Sequence, residues 1–467
     1  MHLPAGCYVR RKMFLTVNHR TIVIERLNFV DTKAVYEKKP RTMVWYITMT
    51  ILMFMYIFQF DLSSFGISQQ ITSTRISVLI FYIIGFFGFG IIPGRRIKSG
   101  LGSIFRRVTA LNIILFLYML LLYWTIGVKE GTPMVLIITN FFLLQLIPCA
   151  IFYKYFRSID ELLKVVLYAG LLQAFIIWVC ITVPGIGIFV DLMFNQTEIY
   201  SIARDGYAGG VGCIAAPGYL RFFFAQLACF YFIVTSKSHK LLYLIIYLFL
   251  SLTGSMIART GLIGSMIGVI VVVLYLVTIK GNRNLVLGIV IAAVVALLGF
   301  RGIMGSEKSR AFFGNRFLRM SLLFEESKTA KSVGDIHFFD VYFNDENTYI
   351  PPLDDKTIIG TGVPSGVSGN DVRVTVDGEY LRLYVAFGLP LAIFFYLFVY
   401  GNLITTTIKM RNRDVKYTLL FFVLFSFVAV FKEWTFYNPP YLFFFMLIAA
   451  LPTEVSYKNQ LRLSKAK

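Results

Sequence analysis

Residues 241–279 read LLYLIIYLFLSLTGSMIARTGLIGSMIGVIVVVLYLVTI, a nearly unbroken apolar stretch with one charge, Arg259. A single helix of this length, at about 1.5 Å per residue, would be almost twice as long as a roughly 30 Å hydrocarbon core. It would also hold Arg259 at the bilayer centre, at a cost of at least roughly 2.5–3.5 kcal/mol. Turning the chain at Ala258-Arg259-Thr260-Gly261 brings the guanidinium to an interface instead. The stretch therefore predicts a tight hairpin of two membrane helices, Leu241–Met256 and Gly261–Ile279.

Outward from this hairpin the same pattern recurs. Ten further apolar runs are Met43–Phe60, Ile76–Ile92, Thr109–Gly127, Pro133–Tyr153, Val165–Val190, Tyr219–Thr235, Asn284–Phe300, Tyr380–Tyr400, Tyr417–Val430 and Tyr441–Leu451. They are solidly apolar rather than alternating, as membrane helices are and barrel strands are not. The composition agrees: 57% hydrophobic and 15% charged, where soluble domains carry about 25% charge. The expected fold is an all-α polytopic membrane protein of about twelve transmembrane helices. Its expected parts are an N-terminal segment 1–42, helices one to nine within 43–300, a long loop 301–379, helices ten to twelve within 380–452, and a tail 453–467. Segment 1–41 has no apolar run of the kind a secretory signal needs, and Met13 is a second candidate start.

The net charge of +20 follows the loops rather than forming one basic domain, so nucleic acid is not expected as a partner. Arg95, Arg96, Lys98, Arg106 and Arg107 share one connection; Lys409, Arg411, Arg413 and Lys416 share another. The short loops between these carry about one basic residue each: Arg75, Lys129, Arg204 and Arg259. That asymmetry predicts both termini in the cytoplasm and the hairpin tip outside. A single helix at 241–279 would reverse Lys409–Lys416 and break the pattern. The long segment 301–379 then also lies outside. Within it Phe312, Phe313, Phe317, Leu318, Leu322, Leu323 and Phe324 suit a helix lying on the membrane surface.

Charges in apolar surroundings face a cavity or a partner. On the outer side these are Arg204, Arg221, Arg259 and Arg382, with Lys432 and Glu433 after helix eleven; Arg316 lies in the long loop. The guanidinium fork suits phosphate oxygens, so Arg204, Arg221, Arg259, Arg316 and Arg382 are candidates to seat a phosphorylated lipid headgroup. The plainer alternative is snorkelling to ordinary anionic lipid, which fits Arg259 least because the hairpin leaves almost no loop. Asp371, Asp377 and Glu379 precede helix ten, and Asp377 or Glu379 could take a proton from a sugar hydroxyl. His337 is the one outer histidine and a further candidate base, although a lone histidine is more often structural. The five cysteines have no metal-site spacing. No phosphate-loop, nucleophile-elbow or dinucleotide motif is present, so neither a metal nor a cofactor is expected.

Three stretches resemble one family. Thr253-Gly254-Ser255-Met256-Ile257-Ala258-Arg259-Thr260-Gly261-Leu262-Ile263 resembles the "SRTGLL" segment of O-antigen polymerases and the related O-antigen ligases. Arg204-Asp205-Gly206, with Pro217 downstream, is similar to their outer-loop segment opening a helix. Ile358-Ile359-Gly360-Thr361-Gly362, then Asp377-Gly378-Glu379-Tyr380-Leu381 and Phe387-Gly388-Leu389-Pro390, is similar to the end of their long loop. The resemblance covers roughly residues 200 to 450; the first five helices match in hydropathy alone. It implies a glycosyltransferase in the bacterial inner membrane that joins oligosaccharides carried on undecaprenyl pyrophosphate, with a chain-length-regulating co-polymerase as partner. Ligases of this kind tend to carry His near the position held here by Asp377, a departure that favours polymerase over ligase. A lipid-linked oligosaccharide flippase or other carrier is the alternative of another class, but two-halved carriers show an internal repeat and none is visible.

Overall fold

The computed structural model describes residues 8–17 and 20–29 as backbone, and residues 41–60, 62–66, 71–89, 102–126, 132–194, 210–212, 215–236, 238–278, 353, 355–364 and 378–456. From residue 41 onward the regular structure among these is helical. The N-terminal segment adds an antiparallel pair, β1 (Tyr8–Val17) and β2 (Arg20–Phe29), in register from Tyr8 opposite Phe29 to Val17 opposite Arg20. Both strands are rich in β-branched and aromatic residues, which favour extended pairing.

The helices are α1 (Met43–Ile57), α2 (Ser73–Phe89), α3 (Gly102–Ile126), α4 (Met134–Tyr155), α5 (Ile159–Thr182), α6 (Pro184–Phe194) and α7 (Ala215–Thr235). There follow α8 (Lys240–Ile257), α9 (Arg259–Thr278), α10 (Asp355–Ile359), α11 (Glu379–Phe387), α12 (Leu389–Lys409), α13 (Arg413–Lys432) and α14 (Tyr441–Ala450). Among the described residues seven helices of 18 to 24 residues are long and apolar enough to cross a membrane. Their outer faces carry bare large apolar side chains such as Leu117, Phe175, Leu241 and Leu397. Water would not tolerate that much contiguous apolar surface, whereas lipid solvates it. The chain is a multi-pass membrane protein.

Eleven of the twelve expected runs fall wholly or mostly on described residues, and each carries helix there; Asn284–Phe300 and the expected surface helix lie outside them. Two runs are corrected. Val165–Val190 breaks at Val183, which is extended (φ −123°, ψ 90°) because the following Pro184 disfavours helical geometry in the residue before it. Tyr380–Tyr400 breaks at Gly388, whose φ of 82° suits glycine; a Cβ there would also strike the Ile358 carbonyl. A third expected run, now within α4, contains a π-helical turn at Phe142–Leu146.

The central helix is α7, buried along nearly its whole length. Aromatic and aliphatic residues surround it on all sides (Tyr219, Phe222, Phe223, Phe224, Leu227, Phe230), so no face is left for water. It is enclosed by α5, α8, α9 and α13. The predicted hairpin is present, and its break is the single residue Ala258 (φ −157°, ψ 158°). A Cβ on Gly261 would collide with the Gly254 carbonyl, and one on Gly268 with the Tyr247 hydroxyl. These pairs run in opposite directions along the chain, so α8 and α9 are antiparallel and nearly touching. Small residues allow such contact in lipid. Gln226 fastens the pair to α7: its Nε2 donates to Ser265 Oγ of α9 at 2.9 Å and to the Leu250 carbonyl of α8 at 3.4 Å, while Tyr219 of α7 donates to its Oε1; Tyr247 of α8 donates to the Ser265 carbonyl of α9 at 3.1 Å.

Side-chain contacts sort the helix ends into two groups. At one end Arg41 pairs with Glu161, and the Ile159 amide donates to the Pro452 carbonyl. Tyr231 donates to Asp160, Tyr275 to Asp414 and to the Val234 carbonyl, and Arg107 to Asn402. Lys154, Lys164, Lys240, Lys409, Arg411, Arg413 and Lys416 belong to these segments, so this is the basic end. The hairpin tip belongs to the other end, with the start of α7 and α14 and the finish of α1, α3, α5 and α13. Among the described residues, then, the basic connections lie at one end of the bundle and the hairpin tip at the other.

Candidate functional site

The hairpin end is where the candidate residues gather. Arg259 opens α9 at the apex, described here by its backbone. A Cβ on Gly264 would lie 3.0 Å from Phe425 and one on Gly268 2.8 Å from Phe421, so α9 and α13 are antiparallel and this register brings residue 259 level with residue 430. A Cβ on Gly378 would meet the neighbouring Phe431 carbonyl at 2.5 Å. Arg259 and the start of α11 thus share one level of the bundle, although more than a hundred residues separate them in sequence.

Helix α11 carries two candidates one turn apart, Glu379 and Arg382. Glu379 is fully buried. Its Oε2 accepts from the Thr435 amide at 3.0 Å and the Phe436 amide at 3.0 Å, and Oε1 accepts from the Phe436 amide at 3.1 Å. Burial pushes its carboxyl up to about 8, against the opposing pull of the Phe436, Thr435 and Tyr437 amides and of Arg382. The Arg382 guanidinium lies 5.9 Å from the centroid of the Trp434 ring, within cation–π range. Both side chains therefore grip the same connector, Glu433–Pro440, between α13 and α14.

A third side chain holds that connector. Gln145 sits in the π-helical turn of α4; its Nε2 donates to the Phe436 carbonyl at 3.2 Å and its Oε1 accepts from the Phe443 amide at 3.3 Å. The extra residue of a π turn re-aims a side chain out of helical register, and such turns are frequent at functional sites. Next to Gln145, the Leu144 carbonyl accepts from Tyr56 at 2.6 Å.

Arg221 is buried near the start of α7. It donates from Nη1 to the Gly212 carbonyl at 3.1 Å and the Gln59 carbonyl at 3.4 Å, and from Nη2 to Gln59 Oε1 at 3.0 Å. Its fork is aimed at protein oxygens, joining the end of α1 to the segment before α7. The glycine-containing stretch 360–362 also has packing roles. The Thr361 and Gly362 amides donate to the Val385 and Ala386 carbonyls at the end of α11 (2.8 and 3.0 Å), and the Gly362 carbonyl accepts from the Met134 amide at 2.7 Å. It thereby joins the end of α11 to the start of α4 and satisfies orphan groups of both helices.

Arg204, Arg316, His337 and Asp377 lie outside the described residues. Asp377 immediately precedes Gly378, the residue that caps α11. Among the described residues no three His, Cys, Asp or Glu side chains are grouped to hold a metal. The structure adds Trp434, Gln145 and Gln59 to the candidates. Trp434 had a signal in the polar interruption Lys432-Glu433-Trp434-Thr435; the two glutamines, isolated in apolar runs, had only their polarity. No protein-family model, curated protein or solved structure matches this chain.

Proposed function

We propose that this chain is a polymerase that joins oligosaccharide repeat units carried on undecaprenyl pyrophosphate, at the outer face of a bacterial inner membrane. The observation that carries the proposal is the apex of α8 and α9. It sets Arg259 at the bundle end that holds Arg382 and the start of α11, the end opposite the concentration of Lys and Arg. Loop charge makes that end the outer one. The resemblance of residues 253–263 to O-antigen polymerases supports the same reading.

The reaction needs little machinery. The acceptor sugar hydroxyl attacks the anomeric carbon of the donor glycan. Its carbon–oxygen bond to pyrophosphate breaks, the proton passes to a base, and polyprenyl pyrophosphate leaves with the electron pair. Arg259 and Arg382 would neutralise the charge that develops on the leaving group. Asp377, beside the α11 cap, is the proposed base.

Purified protein given synthetic lipid-linked repeat units tests this. A product ladder is expected, and cells lacking the protein should still cap their acceptor with single repeat units. Transfer to lipid A core alone would make the chain a ligase; no transfer in either assay would leave a carrier. Arg259→Ala should abolish the ladder in a protein that stays folded. Arg259→Lys should restore it in part, because a point charge does not reproduce the bidentate fork. Normal ladders from stably produced Arg259→Ala would refute the phosphate role.

A further inference from the structure

Glu379 is a buried carboxyl group that a catalytic reading would make a base. Its surroundings argue for another task. A base presents a free oxygen to substrate, whereas both oxygens here are engaged by backbone amides, two of them sharing Oε2. The groups around it are closed off as well. Tyr396 and Tyr400 of α12, Tyr437 of the connector and Tyr441 of α14 lie within its electrostatic reach, and Arg382 is the neighbouring cation on its own helix. Tyr437 and Tyr441 are buried, and Tyr396 and Tyr400 are partly so. What Glu379 touches is the backbone that presents Trp434, the residue just before its two amide partners.

We propose that Glu379 is a positioning residue: by accepting the Thr435 and Phe436 amides, and not by taking a proton from substrate, it fixes the Glu433–Tyr437 part of the connector and holds Trp434 against Arg382. The one-turn spacing of Glu379 and Arg382 makes the clamp possible, since residues three apart lie on the same face of a helix. The carboxyl group seizes the backbone and the guanidinium seizes the ring. Gln145 holds the same segment from α4 through the Phe436 carbonyl, so the connector is gripped on its amides from one helix and on its carbonyl from another. The role in transfer rests on the polymerase reading; the clamp itself does not.

The test therefore needs a readout without substrate. The chain has four tryptophans, so protein labelled with 5-fluorotryptophan in detergent micelles should give four fluorine resonances, with Trp434 assigned by its loss in Trp434→Phe. Glu379→Gln keeps a carbonyl oxygen for the amides and should leave the Trp434 resonance in place. Glu379→Ala should shift or broaden it while the other three stay fixed. If Glu379→Ala fails to fold, Glu379→Asp takes its place; it keeps the carboxyl group but withdraws the oxygens by one methylene, and should also move Trp434. An unmoved Trp434 in the Ala or Asp variant overturns the clamp, and so does a Gln variant that moves it as far as Ala. Activity gives a separate arm. A base would cost roughly 10²–10⁴-fold in Gln and Ala alike, so a loss of that size in Gln with Trp434 unmoved also overturns the proposal. If no variant, parent included, makes product, the polymerase reading fails while the fluorine result still decides the clamp.

Discussion

The two ends of the bundle handle charge differently. At the basic end a partly buried charged group meets another charged or polar side chain, with backbone groups beside it. Arg41 Nε lies 3.2 Å from Glu161 and its guanidinium rests 4.3 Å from the Trp45 ring centroid, while Asp160 and Asp414 accept from tyrosine hydroxyls. At the hairpin end the ionisable groups are buried and met largely by backbone. Arg221 faces carbonyls and Glu379 faces amides. Surface pairs exchange readily with water and contribute little. A buried charge whose partners are backbone groups fixes where those segments run, and its loss strands them. One end therefore tolerates substitution, and the other has its geometry written into its charges.

The largest effect should come from Arg221. Arg221→Met leaves the Gly212 and Gln59 carbonyls without their donor, and each buried group so stranded costs about 1–3 kcal/mol. A loss of about 2–5 kcal/mol, measured by thermal unfolding in mild detergent, is expected. A loss below about 1 kcal/mol would place Arg221 with the surface pairs and erase the contrast between the ends.

Next comes pH. The folded Glu379 carboxyl is raised from 4.5 to about 8, so between those values the folded state binds a proton that the unfolded state has released. Stability from this group is full below about 4.5 and is lost as pH rises through about 8. The unfolding temperature should fall across that window, and Glu379→Gln should flatten the fall. An unchanged slope in the Gln variant would mean that other groups set it.

The smallest effect belongs to the basic end. Glu161→Gln removes the ion pair with Arg41 but keeps an acceptor for the Arg157 amide, which donates to Glu161 Oε2 at 2.8 Å. Less than about 1 kcal/mol should be lost, and added salt should shrink the difference. A loss as large as that of Arg221→Met would show both ends to be built alike.

How far these features are legible in the sequence differs by kind. Apolar runs are long and continuous, and lipid imposes helix on them, so eleven of them could be placed. Arg259 gives away the hairpin because its position is costly in any other arrangement. The breaks at Val183 and Gly388 are harder, since a Pro or Gly inside an apolar run does not lower its hydropathy enough to divide it. Glu379 stands out as a carboxylate, but its partners are backbone amides, and an amide carries no residue identity to read. The same holds for Arg221, where the sequence points to a phosphate and the structure supplies the Gly212 and Gln59 carbonyls. Gln145 depends on a local change of helical pitch, which no residue type announces.

The one-residue break at Ala258 determines how the apex is placed. A longer loop could absorb a shift in either leg; a single extended residue has no slack. The height of Arg259 is therefore metered by the seam between α8 and α9, in the way that a ruler fixes its own end mark. Adding bulk to Gly268, more than two helical turns from the apex, would slide one leg along the other and carry residue 259 with it. The level of the apex is thus encoded in the interior of the bundle, and changes that alter it need not lie near it.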